Sequence, residues 1–218
     1  METKRAVSIY PLQYEEIGAI RRVSLHLIPH VDDPERKWKA ALSKYKSSRS
    51  VDISEQKTIV TNDGGYRLCR ASHPLPQGTP TMWQIEFLGS SNDWSHCRLG
   101  IATLDAAMEA PVGFDKFGYC VRDQGGVYHC GKKMKECSFP GFDIGDVITF
   151  GYDSNDTGTL YVWVNGESCG PVIKNIETNV DWYPAVSCFR GAQLRVIFKR
   201  PFVHEPPGIW IPLQDIPP

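Results

Sequence analysis

Leu160-Tyr161-Val162-Trp163-Val164, closed by Asn165-Gly166, decides the fold class. Successive side chains of an extended chain point to opposite faces. Leu160, Val162 and Val164 therefore point one way, and Tyr161 and Trp163 the other, so both faces of this strand are expected to be covered. Asn-Gly readily adopts the positive φ that a tight hairpin turn requires. The same grammar recurs in both directions from this stretch. Strands are predicted at 58–61, 66–71, 82–88, 98–102, 117–122, 147–152, 182–189 and 194–198, with turns at Asn62-Asp63-Gly64-Gly65, Asp123-Gln124-Gly125-Gly126 and residues 153–158. Many short strands with such punctuation predict an all-β chain folded as an antiparallel β-sandwich.

The two ends read differently. Residues 1–50 form a separate extension with helical signals. Ile17, Ile20 and Leu27 lie near helical spacing; Asp32-Asp33-Pro34 resembles a helix start; Trp38, Leu42 and Tyr45 make one apolar stripe. A short helical N-terminal extension is therefore expected, followed by the sandwich over 51–200. The tail over 201–218 carries Pro206-Pro207, Pro212 and Pro217-Pro218 and is expected to be extended.

Composition narrows the function. Among 218 residues, 24 Lys and Arg face 25 Asp and Glu, for a formal net charge of −1, which disfavours gripping nucleic acid by bulk charge. No run approaches the length of a membrane-spanning helix, no apolar signal core follows the N-terminus, and no membrane partner is expected. Seven cysteines at irregular spacing, several inside apolar runs, read as reduced core residues in an intracellular protein. A zinc site built from His129, Cys130 and Cys137, with His96 and Cys97, is the competing reading. It lacks closely spaced ligand pairs, so no metal and no cofactor are expected. No nucleophile–base pattern surrounds the histidines, and no phosphate-binding glycine loop is present.

Ordered landmarks carry a family resemblance: Trp83-Gln84-Ile85-Glu86-Phe87, Arg98-Leu99-Gly100, Phe142-Asp143-Ile144-Gly145-Asp146, Val164-Asn165-Gly166 and Trp182-Tyr183-Pro184-Ala185-Val186. In order and spacing they resemble a SPRY domain, which implies a concanavalin-like jelly roll. Within that superfamily, Gly65-Tyr66-Arg67-Leu68-Cys69-Arg70-Ala71-Ser72-His73 and residues 110–119 are similar to segments of the Ash-two-like trithorax-group proteins. Those are core subunits of COMPASS/MLL-type complexes that methylate lysine four of histone H-three.

The resemblance implies a nuclear, non-catalytic subunit that binds an acidic segment, phosphorylated or not, of the retinoblastoma-binding WD-repeat subunit and so supports a SET-domain methyltransferase. By motif match the binding residues fall on Tyr66, Arg98, Pro111, Phe114 and Arg122, with Phe114 standing where the family has a tyrosine. The chemistry is coherent on its own terms. A guanidinium presents a planar fork of donors to carboxylate or phosphate, while Pro111 and Phe114 offer an apolar wall. Lys132, Lys133 and Lys135 form a small basic loop. It reads either as a contact for nucleosomal DNA or an acidic partner, or as a solvated hairpin tip. The Dpy-thirty-type subunit of such complexes is a doubtful partner, because the Pro-rich tail cannot be its docking helix. Two other readings stay open: a SPRY substrate-recruiting adaptor of a ubiquitin ligase, and a carbohydrate-binding or carbohydrate-hydrolysing sandwich protein.

Overall fold

The computed structural model describes residues 41–43, 46, 48, 51–54, 57–60, 65–89, 95–155 and 157–216. Two antiparallel sheets face each other. The first has seven strands in the order β1 (Leu42–Ser43), β4 (Tyr66–Ala71), β13 (Tyr183–Phe189), β6 (His96–Ala102), β7 (Gly118–Arg122), β8 (Val127–His129) and β9 (Lys132–Lys133). The second has eight strands. Its order is β12 (Glu167–Ile176), β11 (Gly158–Val164), β10 (Val147–Asp153), β5 (Thr81–Gly89), β14 (Gln193–Ile197), β3 (Lys57–Val60) and β2 (Val51–Ser54), with β15 (Ile211–Pro212) pairing β5 in parallel. The predicted all-β sandwich is present, and no α-helix occurs among the described residues.

The core lies between the sheets and follows the period of two. Cys69, Leu99, Val121 and Val186 face inward from the first sheet, and Ile85, Phe150, Leu160 and Val162 from the second. Trp83 and Phe150 stack at 5.3 Å between ring centroids, across the β5–β10 pair. Cys69, Cys97, Cys120 and Cys188 are buried, as expected of small core residues, whereas Cys130 is exposed. The β11–β12 turn has positive φ at both Asn165 (51°) and Gly166 (85°), as a two-residue hairpin demands.

The predicted coverage of both faces of β11 has a specific cause. Leu160 and Val162 enter the core, while Tyr161 and Trp163 meet Trp210 from the tail, at 5.5 and 5.6 Å between centroids. The helical extension expected over 1–50 falls mostly outside the described residues. Leu42 is an exception and a correction. Instead of lying on a helical stripe it is buried in β1, opposite Ala71, because a free sheet edge supplies partners for its backbone. The sequence pattern predicts none of β2, β8, β9, β12 and β15.

Candidate functional site

On the seven-stranded sheet, residues that alternate with the core set point outward. The loop over 103–117 covers part of this outer face, where Leu68, Ala102, Ala106, Val112, Cys120 and Ala185 form a second apolar cluster. Beyond the loop the face carries Tyr66, His96, Arg98, Arg122 and Phe189.

Arg98 and Arg122 are direct cross-strand partners of β6 and β7. Like charges placed opposite each other in a sheet are destabilising, so their side-chain surroundings matter. The Arg98 guanidinium carbon sits 4.6 Å from the ring centre of Tyr128 and 5.5 Å from that of Tyr66, a cation–π clamp. Its Nη1 points to the Val112 carbonyl at 3.5 Å. Arg122 Nη2 donates to Gln124 Oε1 at 2.6 Å, and its Nε lies 3.7 Å from Asp123 Oδ1. The Nε atoms of both arginines are buried without a hydrogen-bond partner, leaving donor capacity at this spot.

Tyr66 stacks on Phe189 at 5.0 Å, and Phe189 lies against His96. Burial raises the Tyr66 phenol above its ordinary pKa, opposed by the positive charges of Arg98 and Arg122. It is therefore a neutral donor at physiological pH.

Pro111 and Phe114 lie on the covering loop, where the Phe114 amide closes a turn onto the Pro111 carbonyl at 3.0 Å. The loop is pinned to the sheet at Val112. Its amide donates to Ser187 Oγ at 3.0 Å, and its carbonyl accepts the Cys120 thiol at 2.9 Å. Burial pushes that thiol up to about 12, which keeps it protonated and able to donate. Gly113, at φ +77°, lets the loop descend this far. A Cβ there would stand 2.6 Å from the Tyr128 carbonyl oxygen. Phe114 itself is a large apolar ring, 56% exposed.

Of the sequence-predicted residues, Tyr66, Arg98 and Arg122 lie together on the sheet, and Pro111 and Phe114 flank Val112, whose carbonyl faces Arg98. Lys132 and Lys133 stand apart on the exposed edge strand β9, with Lys135 just beyond. Lys133 pairs with Tyr128, and its stem runs over Gly126 in the β7–β8 turn. Sequence reasoning misses Tyr128, Phe189 and Gln124 and marks His96 only as a candidate zinc ligand, since strand register and the β7–β8 turn bring them to Arg98 and Arg122. Among the described residues no group of three His, Cys, Asp or Glu side chains is placed to hold a metal ion, the proposed His129, Cys130 and Cys137 set included.

Comparison with known proteins agrees with this architecture. Residues 81–201, more than half of the chain, match the SPRY domain family. The Set1/Ash2 histone methyltransferase complex subunit ash-2 of Caenorhabditis elegans is 34% identical over 103 residues, covering 47% of this chain and 18% of that protein. The Set1/Ash2 histone methyltransferase complex subunit ASH2 of Drosophila melanogaster is 27% identical over 149 residues, covering 68% of this chain and 25% of that protein. The matches therefore span a quarter or less of these relatives' own length. The crystal structure of the SPRY domain of human HERC1 superimposes with a TM-score of 0.62 at 17% identity, covering 72% of this chain and 97% of that one, a likeness of fold. Together, the matching segment and the two-sheet architecture establish that the chain belongs to the SPRY domain family.

Proposed function

We propose that the chain is a non-catalytic interaction module of a nuclear histone methyltransferase complex. It binds an acidic linear segment, phosphorylated or not, of a WD-repeat subunit, and so supports methylation of lysine four of histone H-three by a SET-domain partner. The observation that carries this reading is the pairing of Arg98 with Arg122 on a partly open face. A sheet gains nothing from two opposed guanidiniums by themselves; an arriving carboxylate or phosphate satisfies both. Tyr66 and Tyr128 hold Arg98 in place, and Pro111 and Phe114 supply the apolar flank for the segment's uncharged side chains. Lys132, Lys133 and Lys135, on the exposed edge of the same sheet, extend the basic character toward an acidic partner or nucleosomal DNA. The similarity to subunits named for Set1/Ash2 complexes supports the assignment to such a complex.

Titration of an acidic WD-subunit peptide tests the site. Arg98→Ala and Arg122→Ala are each expected to weaken binding by about tenfold or more. Unchanged affinity in both variants rejects the site. Co-purification with the WD-repeat and SET-domain subunits, read out by methyl transfer, tests the assembly.

A further inference from the structure

Arg122 already has a ligand. Its Nη2 donates to Gln124 Oε1 at 2.6 Å. Gln124 Nε2 faces His96 Nε2 at 3.5 Å, and His96 Nδ1 lies 2.7 Å from Asp123 Oδ2. Asp123 Oδ1 returns to within 3.7 Å of Arg122 Nε. The four side chains close a ring in which Arg122 donates on both sides and Asp123 accepts on both sides. A guanidinium only donates, so Gln124 turns its carbonyl oxygen to Arg122 and its NH2 to His96. His96 Nε2 then accepts, which leaves the imidazole proton on Nδ1, where the Asp123 carboxylate takes it.

The members of the ring differ in how firmly they are held. Asp123 is 8% exposed at its side chain, and its amide donates to the Cys97 carbonyl. The turn behind it is fixed by Gly125 donating to the Arg122 carbonyl at 2.9 Å and Gly126 donating to the Phe139 carbonyl at 2.9 Å. The Gln124 side chain, by contrast, is exposed, so it can swing into solvent without moving the backbone.

We propose that Gln124 is an internal ligand of the anion site: its side-chain oxygen occupies the position at Arg122 that a partner's carboxylate or phosphate oxygen takes, and it is displaced on binding. This inference rests on the anion-binding reading above. A neutral amide oxygen is a weaker acceptor for a guanidinium than an anionic oxygen. Gln124 therefore yields to a strongly acidic segment while excluding weak acceptors, which makes it a determinant of specificity. His96, buttressed by Asp123, sets the direction in which the amide points.

The test uses the 218-residue chain and a synthetic poly-glutamate peptide at one fixed ionic strength. Gln124→Ala is expected to tighten binding by about threefold or more, because a competing hydrogen bond is removed. Gln124→Glu is expected to weaken it, because a tethered carboxylate then occupies Arg122. Arg122→Ala serves as the reference for a lost site, and thermal melting confirms that all variants are folded. If Arg122→Ala loses binding while Gln124→Ala is unchanged or weaker, the internal ligand is refuted and the anion site stands. If Arg122→Ala and Arg98→Ala both bind as the unaltered chain does, the anion site is refuted and the internal ligand falls with it.

Discussion

Two arginines of the first sheet show how one residue type serves opposite ends. Arg70, in β4, is fully buried, and its guanidinium donates to the backbone carbonyls of Lys46, at 2.7 Å, and Thr103. It ties two irregular segments to the outer face of the sheet, opposite the core side that Cys69 occupies. Arg98 lies between two tyrosine rings and retains a buried Nε without a partner. In the sequence both arginines sit within apolar stretches, and nothing local separates an anchor from a reader. The difference lies in distance: loop carbonyls of Lys46 and Thr103 close tightly on Arg70, whereas the Val112 carbonyl stands 3.5 Å from Arg98 Nη1. Replacement should expose it. Arg70→Met leaves two buried carbonyls short of a donor and is expected to cost about 2–4 kcal/mol in urea unfolding. Arg98→Met removes one of two opposed charges and is expected to change stability by less than about 1 kcal/mol. Equal losses from the two substitutions would show that Arg98 is an architectural residue as well.

At the scale of elements, the covering loop and the strands beneath it form one device. Ser187 on β13 and Cys120 on β7 grip Val112 from two strands, and so fix the loop that carries Pro111 and Phe114, with the Val112 carbonyl facing Arg98. Ser187→Ala strands the buried Val112 amide. The expected result is a stability loss of about 1–2 kcal/mol, accompanied by weaker acidic-peptide binding although both arginines remain. Calorimetric titration with parallel unfolding checks both effects, and a stability loss without a binding loss would separate the loop from the site. β11 is legible because aliphatic and aromatic residues alternate along Leu160–Val164 ahead of an Asn-Gly turn, and β4 because the turn signal Asn62-Asp63-Gly64-Gly65 precedes it. β9 is not, since Lys132 and Lys133 are both exposed and its identity depends on pairing with β8. β12 carries Gly170-Pro171 and register shifts against β11, so in sequence it looks like a loop; its partner makes it a strand. The same limit applies to the site. Arg98, Arg122 and Tyr66 are legible through their motifs. Tyr128 and Gln124 are not, and His96 stands out only as a metal-ligand candidate, because cross-strand register and the β7–β8 turn gather them.

Across the whole molecule, the two outer faces have different fates. That of the eight-stranded sheet is covered by the chain's own tail. Gln84, fully buried, accepts from the Val203 amide at 2.9 Å and donates to the His204 carbonyl, and so holds extended backbone as a sheet would. Farther along, Trp210 lies over Gly151, where a Cβ would stand 2.7 Å from the indole ring, and closes onto Tyr161 and Trp163. The prolines that forbid a helix keep this segment extended enough to follow the sheet, so the Pro-rich tail is part of the sandwich. The face bearing Arg98 and Arg122 has no comparable covering from the tail, and the core separates the two. Sites this far apart with no shared partners respond independently. Trp210→Ala is accordingly expected to lower stability by about 2 kcal/mol and to shift tryptophan emission to the red as Trp163 meets water. Acidic-peptide affinity should stay within about twofold of the unaltered chain. Because a folded sandwich is needed for both measurements, titration belongs well below the variant's melting temperature. A loss of affinity there would mean that the tail's packing reaches through the core to the arginine pair, and that the two faces act as one.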